Sequence, residues 1–212
     1  MSHSIRATRA NPERKNDVLP RASAPLRLCL KLARKLAQGI RILWFRLIQQ
    51  GLRVTALWAA DHAVRIATGA PMRRASQITP QLHVGGQYRW RGWPRLAARG
   101  VTAVVNLRAE FDDNQAGIAP PRYLYLPTPD DAPPTLEQLH AAVAFMGEEI
   151  ARGGGVYVHC GAGVGRAAVT AAAYLVSTGL TPDQAWACIR QARPFVRPNP
   201  SQVAQVERFA RG

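Results

Sequence analysis

The sequence predicts an α/β protein in which helices flank a central sheet, preceded by a basic amphipathic helical extension. Three observations carry this expectation. Short β-branched and aromatic runs alternate with longer helix-forming stretches over residues 76–212. Threonine–proline or threonine–acid helix starts recur within that span. The net charge of +15 is also lopsided. Residues 1–75 hold fifteen Lys or Arg against Glu13, Asp17 and Asp61, giving +12, whereas residues 76–212 hold thirteen against ten, giving +3. At 47% hydrophobic and 19% charged over 212 residues, the chain can bury one ordinary core with an appendage.

The elements follow in order. Residues 1–25 mix Ser, Pro, Asn and charge and read as a disordered basic tail. Residues 26–75 read as a basic amphipathic helical segment, helical from about Leu26 to Gly69. Leu36, Ile40, Leu43, Leu47, Val54 and Trp58 recur on one face, with Lys31, Arg34, Lys35, Arg41, Arg46 and Arg53 largely opposite. Arginines interrupt every apolar run, so no membrane-spanning stretch exists. Two readings of residues 26–69 stay open: the apolar stripe docks on the following domain, or the helix lies on an anionic membrane surface. Residues 76–212 read as one domain. In it Tyr123–Leu126 is a strand running into a proline-stiffened loop, and Thr135 caps a helix with Glu137 in its first turn. Gly153–Gly155 punctuate the chain before a short buried strand, Val156–Val158, ending at His159. Ala167–Val176 suits a buried helix. Thr181-Pro182 opens another helix, and Arg193–Asn199 bridges to a last one from about Ser201.

The richest stretch is His159-Cys160-Gly161-Ala162-Gly163-Val164-Gly165-Arg166. A strand-to-helix turn of this kind aims backbone N–H groups and the positive helix end at one point, where an anion is held. Gly161, Gly163 and Gly165, with Ala162 and Val164, form the wrap, and Arg166 can grip two anion oxygens in a bidentate fork. The same field favours negative charge on Cys160, and the thiolate is the nucleophilic form. His159 is expected to orient the loop. The competing reading, a buried structural cysteine, does not explain three glycines and an arginine.

His-Cys, five residues, Arg resembles the signature of the cysteine-dependent protein tyrosine phosphatase superfamily. Its four fixed letters would arise by chance in on the order of one such chain in a thousand. The resemblance implies a catalytic Cys160 and Arg166, and a general acid about 30 residues upstream on a loop. Asp130 fits that spacing, with Asp131 the reserve. Residues 76–212 are similar to small dual-specificity phosphatase domains, which implies a central mixed sheet flanked by helices. Ile78–Gln87 would then hold the first strand and turn, and Gly100–Arg108 the second core strand. No segment resembles the tyrosine-recognition loop of the larger tyrosine phosphatases, which implies a shallow pocket. No metal or cofactor is expected.

One departure concerns mechanism. Most members carry Ser or Thr after the arginine to stabilise the departing thiolate; this chain has Ala167. The phosphatases of regenerating liver resemble it in that alanine and in paired aspartates before Ala-Pro-Pro. Slow breakdown of the phosphoenzyme is one expectation; the other is that Ala167 is a good helix former and Thr170 or a water supplies the hydroxyl.

The function classes are a phosphatase of phosphoproteins, a phospholipid phosphatase, and a slow-turnover binding module. The overall layout is similar to mitochondrial-type phosphatidylglycerophosphate phosphatases. Neutral residues at 161, 162 and 164 argue against multiply phosphorylated inositol headgroups, whose enzymes place lysines there. Nucleic-acid binding has no supporting aromatic or base-reading motif. Cys29, Cys160 and Cys188 form neither disulfide framework nor metal cluster, and a working thiolate wants a reducing compartment. A cytoplasmic place is expected, peripheral to the inner face of a membrane if the basic helix binds lipid. The Arg-rich, Ser-containing start also leaves mitochondrial targeting open, against Glu13 and Asp17. Cys188, His83 and His140 are expected to be structural; Gln202 reads as a surface residue at a helix start, with orienting an attacking water the alternative, and Glu110, Asp112 and Asp113 read as solvated loop acids, with a place at the border of the cleft the alternative.

Overall fold

The computed structural model describes residues 24–212, the side chains of 24–32 and 34–36 excepted. The tail expected over 1–25 falls, up to Ser23, outside the described residues, as do the side chains of Cys29, Lys31, Arg34, Lys35 and Leu36. The chain divides into two units, Met1–Trp44 and Phe45–Gly212. Helix α1 (Ala24–Thr68) begins in the first, where Ile40, Ile42, Leu43 and Trp44 are exposed. It continues through the second, broken at Gly51, whose φ of 78° and ψ of 170° suit a residue without Cβ. No described helix is long and apolar enough to cross a membrane.

The second unit starts at Phe45, inside the segment expected over residues 26–75. Polar side chains are buried on this stretch of the helix. Arg46, Thr55 and Asp61 are buried, while Ile48 and Leu52 on the same helix are 62% and 74% exposed. Periodicity placed Arg46 on the solvated face, yet it donates to the Phe195 carbonyl at 3.3 Å and lies 4.6 Å over the Trp58 ring. Burial, together with repulsion from Arg197 and Arg193, draws its guanidinium down to about 10. Leu47, Val54 and Trp58 are half-buried.

The sheet holds β1 (Leu82–Gly86), β2 (Val101–Arg108), β3 (Arg122–Thr128) and β4 (Gly155–Cys160) in the order β1-β4-β2-β3. These strands pair in parallel, and a single bridge, Gln77 to His83, runs antiparallel. Parallel strands covered on both faces are apolar throughout, which is why β2 and β4 read as continuous β-branched runs. Alternation still divides them. Val84, Val105, Val158 and Cys160 face one core with α4 (Arg166–Ser177), whereas Val104 and Tyr157 join Tyr88 and Leu96 in a second.

The remaining helices are α2 (Trp93–Ala97), α3 (Leu136–Ala151), α5 (Pro182–Ala192) and α6 (Pro200–Ala210). α3, α5 and α6 start with capping boxes at Thr135/Gln138, Thr181/Gln184 and Asn199/Gln202, in which side chain and backbone satisfy each other's orphan donors. Cys188 is half-buried against the larger core, as a structural cysteine would be.

His83 in β1 is fully buried, and neither ring nitrogen has a partner among the described residues. Burial, with Arg99 and Arg73 adding repulsion, lowers it to about 4. The unfolded imidazole protonates near 6.5, so the unfolded state gains protons first. Stability is therefore full above about pH 6.5 and falls by about 3 kcal/mol as the pH drops toward 4. Thermal unfolding between pH 7.5 and 4.5 should show this slope, and His83→Leu should flatten it. A variant with the parental slope would assign the loss to other groups.

Candidate active site

Strand alternation sets the site. His159 and Cys160 end β4, at the carboxyl edge of a parallel sheet where ligands of α/β folds sit. The pleat sends Cys160 toward α4 and His159 to the opposite face. There His159 Nε2 meets Asp113 Oδ2 at 2.7 Å, both side chains fully buried, between the rings of Tyr88 and Tyr157. Gln87 Nε2 donates to the other oxygen of Asp113 at 2.7 Å.

From Gly161 to Gly165 the chain wraps the Cys160 sulfur. Gly163 has φ 68°, and a Cβ there would lie 2.2 Å from the Gly85 carbonyl carbon, so the loop's close seating on β1 requires glycine. Four consecutive carbonyls of this loop are taken from outside. The N–H of Gln87 donates to Gly161 O at 3.0 Å, and that of Arg197 to Val164 O at 2.8 Å. The Arg193 guanidinium donates to Ala162 O at 3.0 Å and Gly163 O at 2.7 Å. In a planar trans peptide the C=O of one residue and the N–H of the next point oppositely. Outward carbonyls at 161–164 therefore turn the N–H groups of 162–165 inward. One of them, Gly163 N–H, donates to Cys160 Sγ at 3.3 Å. The result is a ring of donors at the N-terminus of α4.

Arg166 opens α4 and is 2% exposed. Its Nη1 donates to Thr128 O at 2.7 Å and Glu110 Oε2 at 3.0 Å, and its Nη2 reaches Glu110 Oε1 at 3.0 Å and Asp130 Oδ1 at 2.7 Å. Burial works against this charge, but hydrogen bonding to Glu110 with the nearby Cys160 and Asp130 more than offsets it and raises the guanidinium. Its bond to Glu110 in turn lowers that carboxyl to about 2.

The structure brings Cys160, the 161–165 loop, Arg166 and Asp130 together. Asp131 differs: it has φ 60°, is exposed, and offers its backbone carbonyl to Asn199 Nδ2 at 2.6 Å. Two further amides of α6 hold the same loop, Gln202 Nε2 on Ala132 O at 3.1 Å and Gln205 Nε2 on Pro134 O at 2.8 Å. Gln202 is thus no surface residue. It is 2% exposed and packs against Gly165, linking the acid loop to the anion loop. Asp113 is likewise no solvated loop acid but the buried partner of His159, while Glu110, with its side chain 41% exposed, borders the site as a partner of Arg166. Arg193 was missed altogether; its only sequence signal was an arginine inside an apolar Pro-Phe-Val context. Among the described residues no three His, Cys, Asp or Glu side chains converge as metal ligands would.

A thiol beneath an N–H-lined anion loop, closed by a buried arginine and faced by an aspartate, defines a site of the cysteine-dependent phosphatase class. Residues 87–180 match the family model "Polymorphic toxin system, DSP-PTPase phosphatase". Human dual specificity protein phosphatase 1 is 30% identical over 135 residues, 63% of this chain and 36% of that protein. Slingshot homolog 3 of Rattus norvegicus is 29% identical over 144 residues, 66% of this chain and 22% of that protein. The chain thus spans between about a fifth and little more than a third of these curated relatives. Among solved structures, PTPMT1 aligns at 27% identity and TM-score 0.58 over 64% of this chain and 93% of its own. Human DUSP28 aligns at 28% and 0.58 over 64% and 95%. These matches support a cysteine-dependent, dual-specificity phosphatase-like superfamily for the region they cover.

Ala167 is fully buried in the first turn of α4, and the Thr170 hydroxyl is bonded to Arg166 O at 3.1 Å. Thr170 therefore spends its proton on the backbone rather than on the sulfur. A hydrogen bond to a charged group contributes roughly 1.5–3 kcal/mol, so Ala167→Ser should raise the steady-state rate about tenfold if phosphoenzyme breakdown limits it. Rapid-quench kinetics should show a burst in the parent that shrinks in the variant. An unchanged steady-state rate would place the slow step elsewhere.

Proposed function

We propose that the protein is a phosphomonoester hydrolase working through a phosphocysteine, with phosphorylated Tyr, Ser or Thr of proteins as its substrates. The observation that carries this reading is the Cys160 sulfur under inward N–H groups, 3.3 Å from that of Gly163. These donors and Arg166 match the equatorial oxygens of a transferring phosphoryl group. The Cys160 thiolate attacks phosphorus while the ester P–O bond breaks, and the leaving oxygen takes the proton of the Asp130 carboxyl. Asp130 then accepts a proton from water, whose oxygen attacks phosphorus; the P–S bond breaks and inorganic phosphate leaves. The Asp130 side chain is 78% exposed, so it is free to give up its place on Arg166 to the incoming phosphate. The similarity to dual specificity protein phosphatase 1 supports a protein substrate.

Hydrolysis of an aryl phosphate should be vanadate-sensitive and unaffected by EDTA. Cys160→Ser should lower it by at least about 10³-fold, and retained activity would refute the mechanism. Asp130→Ala should slow a poor leaving group by about 10²-fold while sparing a good one, with Asp131→Ala near parental. The reverse pattern would transfer the acid role to Asp131.

A second reading, a phospholipid phosphatase at a membrane surface, is favoured by two observations. PTPMT1 in complex with PI(5)P aligns at 26% identity and TM-score 0.57. Phe45, Ile48 and Leu52 are exposed beside Arg53, which suits an anionic, apolar boundary. The neutral loop interior at 161, 162 and 164 fits a headgroup with a single phosphate. The cytoplasm, with this face against the inner surface of a membrane, is the placement that goes with it. The full chain should float with phosphatidylglycerol vesicles more than with phosphatidylcholine ones, and Ile48→Ser with Leu52→Ser should abolish the difference. Equal flotation of parent and variant would remove this reading.

A further inference from the structure

We propose that Asp61 and Arg65, on the α1 segment ahead of the phosphatase-like region, are positioning residues that hold the anion loop in its binding form. The inference rests on the reading of that loop as the phosphate site. Both residues lie outside the span matched by the family model, residues 87–180.

Asp61 acts through Arg193. The Arg193 guanidinium is fully buried and donates to three carbonyls, those of Ala162, Gly163 and Ala75. Two of these belong to the anion loop. Among the described residues its buried charge is met by one carboxylate: Asp61 Oδ2, 3.4 Å from Nη2, in a side chain only 5% exposed. Phe195 covers the guanidinium face at 4.4 Å. Burial lowers Arg193, and Asp61 is the strongest opposing influence. The other carboxylate oxygen, Oδ1, accepts the Met72 N–H at 2.9 Å, which fixes Asp61 from behind. Removing the carboxylate would leave a buried cation whose remaining partners are carbonyl dipoles.

Arg65 acts through Gln87, one helical turn further along α1. Its Nη1 donates to the Gln87 carbonyl at 2.9 Å, and the Gln87 N–H holds Gly161 O at 3.0 Å. Its guanidinium also sits 3.0 Å from where a Cβ on Gly86 would be, beside the last residue of β1. The Asp61 and Arg65 chains together reach the carbonyls of Gly161, Ala162 and Gly163, the first three of the four whose outward orientation turns N–H groups toward Cys160. Without this brace, those peptides are free to rotate carbonyl oxygens inward, where they repel an anion.

The test measures inorganic phosphate binding to the full chain carrying Cys160→Ser, by calorimetry, and KM and kcat for an aryl phosphate in chains with Cys160 intact. Asp61→Asn, which keeps an acceptor for Met72, should weaken phosphate binding on the order of tenfold and raise KM by a similar factor, with a smaller change in kcat. Arg65→Gln should weaken binding several-fold, while Gln49→Ala, an exposed change on the same helix, should leave it at the parental value. Asp61→Glu should recover part of the affinity. Should Asp61→Asn fail to fold, Arg65→Gln decides, since it strands no buried charge. A folded Asp61→Asn or Arg65→Gln chain with parental phosphate affinity and KM overturns the brace. Phosphate binding without Cys160-dependent hydrolysis in the parent would instead overturn the proposed function and leave the brace standing.

Discussion

The orientation of four peptide planes, those following Gly161, Ala162, Gly163 and Val164, is the constraint on which the site depends. A loop this polar has no intrinsic reason to turn its donors inward. Left alone, it would satisfy carbonyls and N–H groups alike with water. Here the carbonyls are bonded from outside by Gln87, Arg193 and Arg197, and planarity of the peptide does the rest. The anion site is thus a by-product of satisfying the opposite side of the same peptides.

That arrangement places unusual charges inside the protein. Arg193 lies fully buried behind the loop and Arg166 nearly so beside it. Each is tolerable because carboxylates and carbonyl oxygens surround it: Asp61 and three carbonyls for Arg193, Glu110, Asp130 and Thr128 O for Arg166. Ion pairs made by a buried guanidinium seldom add net stability over an apolar core. What they contribute here is geometry, because a guanidinium with several fixed acceptors has one place to sit. The buried His159–Asp113 pair plays the same part on the other face of β4.

Much of the fold was legible because its signals are local. Thr135 and Thr181 announced helices through capping chemistry that needs only four residues, and Val156–Val158 before a glycine-rich turn announced the strand and loop. Cys160 and Arg166 were legible for the same reason, since both stand in a short pattern, whereas Asp130 was reached through the family resemblance and its spacing of about 30 residues. The partners of these residues were not. Glu110, Asp113, Gln202 and Arg193 act across separations of 30 to 70 residues, and polar residue types in loops carry no trace of such contacts. Helical periodicity also misassigned Arg46, because it treats every arginine as solvated, whereas this one has a carbonyl and an indole face to receive it.

The sequence by itself determined the class of chemistry: a cysteine, three glycines and an arginine between a strand and a helix specify an anion loop with a nucleophile through backbone geometry alone. It also determined the lopsided charge and the alternation that separates His159 from Cys160. Only the tertiary structure decided which of two adjacent aspartates meets Arg166 and which groups take the loop's carbonyls. These depend on distant chain segments converging on the same few carbonyls, and convergence is a property of packing rather than of any local run of residues.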